Sequence, residues 1–436
     1  MNALRRVLIG LSVVLPSFAA GDIADVAGRW EVTTVYPGGY FVAGLDLTVD
    51  HGRYTGKSSY LVPDWDTFWY TGAPDKNGVR LKIAYESGYG IGDLNVKNDR
   101  GTLRGSGTIH GIAVTLVGHR PLTRPTAGPV VHDYEPTSFW SLFSGTIAPV
   151  LHVFPGDTIR TKTVDSAGLD DRQAPRVMPA SNPQTGPFYI EGAMPGDTLA
   201  VHFNKIQPNR DSATQYRFVI DPRVLEAHDA SKPVPGWSHT WTLDRAKGIA
   251  TPDSPSDKLK GFSIELAPML GCVGVAPYGN QAISAADLGP WGGNLDYNRI
   301  RAGTTLYLPV YQAGALLTLG DGHARQGDGE ITGQGLEISM DVEFTVDVVH
   351  GEFLNQPWAE DDEYIMVSGI DGSLTTAMQA ATSGLSKWLA IHYGLNASEA
   401  ATVLANTIQY DLAEAVDPHV HVVARVRKDV LQQIPR

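Results

Sequence analysis

A single cysteine, Cys272, stands in the 436-residue chain, so no internal disulfide framework holds it together. Its setting, PMLGCVGVAP, is apolar and reads as a buried thiol rather than a reactive one. Clusters of basic residues are missing too. The chain has 34 Lys and Arg against 47 Asp and Glu, a formal charge of −13, whereas nucleic-acid backbones demand clustered cations. Beyond the amino-terminal stretch no apolar run is long enough to span a bilayer. There is no Gly-x-Ser-x-Gly elbow, no P-loop and no dinucleotide glycine fingerprint, which removes the common nucleophile and phosphate-binding signatures. What the chain does have is 47 glycines and 28 prolines among short apolar segments, the composition of a mainly β protein. Its length suits two or three domains.

The start, MNALRRVLIGLSVVLPSFAA, has basic Arg5 and Arg6, an apolar run from Val7 to Leu15, and small residues at Ser17 and Ala19. This is the pattern of a secretory signal over residues 1–19, which implies a periplasmic or secreted protein with no membrane association after cleavage. The paired arginines leave the Sec and twin-arginine routes both open. Residues 22–122 then alternate in short segments such as RWEVTTVY, VRLKIAYESG and IAVTLVGHRP, separated by Gly, Pro and Asp-Lys-Asn-Gly. That alternation predicts antiparallel hairpins closing a small barrel. GRWEV at its start and VTLVGHRP at its end resemble the lipocalin-like barrels that precede some exported bacterial hydrolases. Trp65, Phe68, Trp69 and Tyr70 are expected to fill or cap its core, the alternative being a ligand-binding mouth. Residues 123–137, rich in Pro and Thr without a sustained period, read as a linker to a second domain over 138–436.

In the second part, two Pro-Gly-Asp turns, ending at Asp157 and Asp197, each split a pair of apolar runs, and residues 139–350 are expected to form packed β-sheets. The segment SLTTAMQAATSGLSKWLAIHYG puts Leu374, Ala377, Met378, Ala381, Leu385, Trp388 and Leu389 on one helical face. NASEAATVLANTIQYDLAEAVD does the same with Val403, Leu404, Ile408 and Leu412, behind the cap candidates Asn396 and Ser398. HVHVVARV then alternates as a strand. His419 and His421 within it are spaced to share a metal but read better as ordinary strand histidines.

Taken together, NPQTGPFYIEGAMPGDTLAVHF, GCVGVAP, WGGNLDYNRIRAGTTLYLPVYQAGALLTLGDGHARQGDGEITGQGLE and DDEYIMVSGIDGSLTTAMQAAT resemble the acetamidase/formamidase family over roughly residues 136–430. The most specific parts are the Gly-Gly-Asn-x-Asp and Gly-Asp-x-His-x-x-Gln-Gly-Asp-Gly-Glu motifs. The resemblance implies a β-sandwich-type domain, hydrolysis of short amides to a carboxylate and ammonia, and a bound divalent metal. The expected fold is therefore mainly β: a small β-barrel-like domain followed by a β-sandwich-type domain with two carboxy-terminal amphipathic helices.

An unactivated amide needs a strong nucleophile, a charge to stabilise the oxyanion and a proton for the leaving amine, and metal-activated water supplies the first economically. Asp321 and His323, two apart at a strand end, project to one side as a metal pair requires. Gln326, Asp328 and Glu330 follow on a segment expected to be mobile and to fold back, with Glu330 a candidate proton acceptor and Glu337 opening the next strand. A solvated hairpin turning at Asp328-Gly329 is the plain alternative. Asp165 is a candidate third ligand through its match to the family, or a turn acid. Glu191 and Asp296, beside glycines in matched motifs, are candidates to bind metal, orient water or cap backbone amides. Asn209 and Arg210 read as a surface pair. An oxygen-rich site favours calcium, whereas the histidine favours zinc or manganese, and zinc is the expected ion. The expected partner is a small amide. Three questions stay open: a homo-oligomer, a lactamase-type hydrolase on the same scaffold, and a non-catalytic calcium-containing binding protein.

Overall fold

The structure, a computed structural model, describes residues 25–58, 67–125, 127–178, 182–217, 219–229, 240–279 and 281–435. The signal-like start and Trp65 lie outside the described residues. No helix among the described residues is long and apolar enough to cross a membrane.

Eight antiparallel strands, Gly28–Tyr36, Gly39–Asp50, Arg53–Ser58, Phe68–Asp75, Gly78–Ala84, Gly90–Asp99, Thr102–Ile109 and Ile112–His119, close into a barrel in chain order. Closure follows from alternation. Along Gly28–Tyr36, for example, Trp30, Val32 and Thr34 turn inward while their neighbours face out. The interior is filled by Trp30, Leu45, Leu47, Leu81, Leu94, Val96 and Leu103. Phe68 and Tyr70 belong to this core, whereas Trp69 is 42% exposed, as the period of two on a strand requires. The indole of Trp30 donates to Val26 O at 2.8 Å and is covered by the Arg120 guanidinium, 3.7 Å from the ring centroid.

Most of the remaining strands form two large sheets, beside a two-stranded and a four-stranded one. One has six strands in the order Leu151–Val153, Gln184–Ile190, Leu317–His323, Met269–Gly274, Gly292–Asn294 and Leu288–Gly289. The other has nine, running from Gln409–Glu414 through Val420–Arg427, Tyr364–Asp371, Trp358–Glu360, Thr305–Pro309, Thr198–Pro208, Met340–Val349 and Thr158–Lys162 to Val131–Asp133. Phe188, Leu270, Val273, Leu317 and Leu319 of the first meet Val201, Phe203, Val342, Phe344 and Val346 of the second in one apolar core, a sandwich. Residues 131–133, which composition reads as linker, add a parallel edge strand beside Thr158–Arg160.

The two Pro-Gly-Asp turns are built alike. Asp157 accepts the backbone N–H of Phe154, and Asp197 that of Met194, with Gly156 and Gly196 at positive φ. Each carboxylate also binds an arginine: Arg124 at Asp157, and Arg29 of the barrel, 2.5 Å from Asp197.

Helix α1 (Leu374–Tyr393) packs Ala377, Ala381, Leu385, Trp388 and Leu389 against the nine-stranded sheet, but Leu374 and Met378 are exposed at 52% and 43%. The buried stripe is narrower than expected because small Ala377 and Ala381 let the helix approach closely at Gly369, where a Cβ would meet Ala377 O at 2.0 Å. Helix α2 (Ala397–Thr407) begins on Asn396 with a capping box to Glu399, and ends four residues after Val403. The expected continuation through Leu412 does not form. Gln409–Glu414 instead pairs with Val420–Arg427, where Tyr410 and Leu412 gain ladder hydrogen bonds in place of a last helical turn.

Candidate functional site

The segment that composition marks as polar and mobile is in fact buried. All of Leu317–His323 is inaccessible, wedged between Gln184–Ile190 and Met269–Gly274. Its glycines serve close packing rather than motion. A Cβ on Gly320 would sit 2.8 Å from Gln184 Oε1, and one on Gly322 2.4 Å from Met340 Cγ. After the strand, the chain folds back through a short turn at Asp328–Glu330, where Gly329 has φ 77°. Glu337 then bridges to His323 ahead of Met340–Val349.

This route brings five expected residues together. His323 Nε2 lies 3.1 Å from Glu337 Oε1, 3.4 Å from Asp321 Oδ1 and 4.0 Å from Glu330 Oε1, and its Nδ1 is 3.9 Å from Asp296 Oδ1. Asp296 is fully buried, and Asp321, His323, Glu330 and Glu337 are nearly so. Three of the acids, Asp296, Asp321 and Glu330, have positive φ of 44°, 56° and 44°. Such backbones cost roughly 1–3 kcal/mol each and persist where the surroundings overdetermine them, as at active sites.

Side-chain amides hold the acids in place. Asn182 Nδ2 donates to Asp321 Oδ2 at 2.9 Å and to Asn294 Oδ1 at 2.6 Å; Asn294 Nδ2 donates to Asp296 Oδ2 and Asp417 Oδ2, both at 2.7 Å. Gln184 Nε2 donates to Asn182 Oδ1 at 3.0 Å, closing the chain. One oxygen of each aspartate is thereby tied down while the other faces the cluster. Asp296 Oδ1 and Glu337 Oε2 are buried without a hydrogen-bond partner.

So many buried acids around one base disturb one another. Burial, then repulsion from Asp321, pushes Asp296 well up; burial, then Asp296, does the same to Glu330. Burial raises Glu337 as well. Asp321 goes down, because His323 and the Asn182 donor outweigh its burial. His323 goes up, because Glu337 and Asp321 outweigh its own burial. Behind Glu330, burial lifts Glu414 to about 7 and Asp417 to about 6.

The residues present suit a cation. Oxygens and the imidazole of Asp296, Asp321 and His323, of His323, Glu330 and Glu337, and of Asp296, Glu330 and Glu414 lie within 4.8 Å of one another in each group. Gly271 opens onto the same place: a Cβ there would come within 2.4 Å of Asp296 Oδ1, 2.7 Å of Asp321 Oδ2 and 3.1 Å of His323 Cε1. Buried carboxylates in such excess are costly unless a cation compensates them.

Two other candidates stand apart. Asp165 is fully buried but engaged: Oδ2 accepts from Arg210 Nη2 at 2.6 Å, and Oδ1 from the amides of Ala167 and Leu169. It organises a turn, and its partner Arg210 is 7% exposed rather than part of a surface pair. Glu191 follows the far end of Gln184–Ile190, where its carboxylate meets His152 Nδ1 at 2.7 Å and, with burial, helps push up Glu31 of the barrel. His421 is a buried neutral strand histidine, bonded to Leu295 O and Ser368 Oγ and lowered by burial to about 4. His419 pairs with Asp287. Cys272 is buried, and burial pushes its thiol well up. Asn182, Gln184, Glu414 and Asp417 escape a reading of the sequence, since they reach the site from segments far apart in the chain. Asn294 has a local signal, two residues before Asp296 in Gly-Gly-Asn-x-Asp.

Residues 275–417 match the Acetamidase/Formamidase family. A candidate formamidase of Schizosaccharomyces pombe is 28% identical over a 193-residue alignment, with coverage of 34% of this chain and 47% of that protein, so the match spans about half the relative's length. Among solved structures, a candidate acetamidase/formamidase from the thermophile Thermoanaerobacter tengcongensis is similar with a TM-score of 0.60 and 26% identity, over 70% of this chain and 98% of its own. An acetamidase from Bacillus halodurans gives a TM-score of 0.60 and 27% identity, over 70% of this chain and all of its own. Behind an N-terminal β-barrel, then, this chain has a domain that matches the acetamidase/formamidase family over residues 275–417 and is similar in fold to the solved acetamidases.

Proposed function

We propose that the protein hydrolyses the carbon–nitrogen bond of a small linear amide to a carboxylate and ammonia, and that the buried cluster holds a divalent metal, zinc for preference. The observation that carries this is the meeting of His323, Asp321, Glu337, Asp296 and Glu330 around partnerless carboxylate oxygens and the space left by Gly271. The family supports the amide as substrate class. Asp321, His323 and Glu337 would hold the ion with Asp296, and the imidazole among oxygens favours zinc or manganese over calcium. When bound, the ion offsets the buried negative charge and makes water acidic enough to lose a proton near neutral pH.

The chain's own residues do the rest. Asn182 and Asn294 fix the aspartates so that their second oxygens keep one direction. Glu330 takes the proton of the attacking water and returns it to the nitrogen as the carbon–nitrogen bond breaks, so that the amide and water leave as a carboxylic acid and ammonia, which settle as carboxylate and ammonium. Its burial favours the protonated form that this return needs, and Glu414 lies within 4.8 Å of it beside Asp296.

Ammonia release from a panel of formamide, acetamide, longer amides and lactams tests the reading. Glu330→Gln keeps the shape but cannot accept a proton. Hydrolysis should fall about 10²-fold or more with fold and metal content unchanged. Undiminished hydrolysis in that variant removes Glu330 from the mechanism, and turnover of lactams alone moves the substrate class.

A further inference from the structure

Gln326 sits between two members of the cluster. It is 5% exposed, its Nε2 is 2.6 Å from the backbone oxygen of Asp296, and its Oε1 is 2.7 Å from His323 Nδ1. Which end of this amide faces which neighbour is decided by chemistry. A backbone carbonyl oxygen only accepts, so the amide nitrogen must face it. The oxygen is then left for His323, and an amide oxygen also only accepts. His323 Nδ1 must therefore be the donor.

From this geometry we infer that Gln326 is a positioning residue that keeps a proton on His323 Nδ1 and so leaves Nε2, which faces Asp321 and Glu337, as the nitrogen available to a cation held between them. The orientation follows from the hydrogen bonds alone, and its use in presenting a metal ligand rests on the function proposed above. The same side chain couples that orientation to Asp296. Its bond to the Asp296 carbonyl joins one from Asp296 N to Gly271 O at 3.0 Å in holding a residue whose φ is 44°. One amide thus sets the ring direction of the histidine and the backbone of an acid facing it. Gln326 stays pointed inward because the chain turns back just after it, at Gly329 with φ 77°.

The test compares Gln326→Met, which fills similar space but cannot accept the Nδ1–H, with Gln326→Glu, which keeps an oxygen there. Nitrogen NMR of ¹⁵N-histidine protein, with the His323 signal assigned through His323→Ala, should show Nδ1 protonated in the full chain, with or without zinc. Zinc affinity, measured by competition with a chelator, should fall roughly 10- to 100-fold in Gln326→Met, the usual scale for loss of a histidine's hydrogen-bond partner. It should be partly restored in Gln326→Glu, which keeps the acceptor at Nδ1 but not the donor to Asp296 O, while the zinc-free Met variant still unfolds as one cooperative thermal transition. An unprotonated Nδ1 in wild type overturns the inference. So does unchanged zinc affinity in Gln326→Met, or a loss in both variants alike. If wild type takes up no ion at all, the function proposed above fails, and the Nδ1 signal of the metal-free protein still decides the orientation.

Discussion

The barrel and the sandwich bury very different things. Among the described residues the barrel's buried polar side chains are Thr34 and Ser58, both uncharged, whereas the sandwich buries Asp157, Asp165, Asp197, Asp296, Asp321, Glu330, Glu337 and Glu414. Even within the sandwich the acids divide. Asp157, Asp165 and Asp197 each have a guanidinium of their own, from Arg124, Arg210 and Arg29. The other five have among them only His323. A buried charge with its own partner is explained by architecture, at a turn or a junction. Four sharing one imidazole, with Glu414 beside them, are not, since each uncompensated carboxylate costs several kcal/mol to desolvate. The excess therefore marks where function was placed, and the barrel shows that a stable β core of this chain needs no such expense.

The paired acids can be broken first. Arg210→Ala leaves the buried Asp165 carboxyl with two backbone amides but without its guanidinium, so unfolding by denaturant should show a loss of about 3–5 kcal/mol. A loss below about 1 kcal/mol would mean that the pair is not desolvated as described. Next comes the barrel. Trp30→Ala removes its largest inward side chain, and about 3–5 kcal/mol should disappear from the barrel's unfolding transition. Amide hydrolysis by the remaining folded protein should stay at the wild-type level, because the cluster draws no side chain from the described residues of the barrel; a large fall in turnover would give the barrel a part in the site.

A smaller effect separates structural acids by pH. Burial works against the Asp157 charge, but Arg124, the amides of Phe154 and Val130, and His132 outweigh it, holding the group at about 2 against an ordinary 3.8. A group depressed in the folded state contributes its stability above the unfolded value and loses it as pH falls through the folded one. Between pH 4 and pH 2, then, wild type should lose on the order of 1 kcal/mol that Asp157→Asn, already less stable at neutral pH, does not lose. Parallel curves for the two proteins would deny the charge a role. Smallest of all, Met378→Ala on α1 should change stability by no more than about 0.5 kcal/mol, since the side chain is exposed.

How far these contrasts could be read in the sequence depends on the range over which each signal acts. The barrel strands, the two Pro-Gly-Asp turns and α1 show themselves because a period of two, a proline followed by glycine, and a period near 3.6 are local. Asp321, His323, Glu330 and Asp296 stood out because two dense motifs carry them, and Glu337 because it reads as opening the strand that follows. The glycines beside them misled, since a glycine that yields space to Gln184 or Met340 looks in one dimension like one that yields motion. Asp165 resembled a ligand for a related reason: nothing near it in the chain announces Arg210, which is 45 residues away. Glu414 and Asp417 were hidden by an apolar pattern that fits a helix up to Leu412, although the chain turns to a strand after Thr407 and delivers both acids to the site.

The central claim, that the unpaired acids and His323 form a metal site for amide hydrolysis, is tested most directly by metal content and ammonia release measured together on wild type and His323→Ala. The account predicts that purified wild type carries a divalent ion, that a chelator removes ion and activity together, that zinc restores both, and that folded His323→Ala has neither. Full activity in a folded, metal-free His323→Ala protein would contradict it.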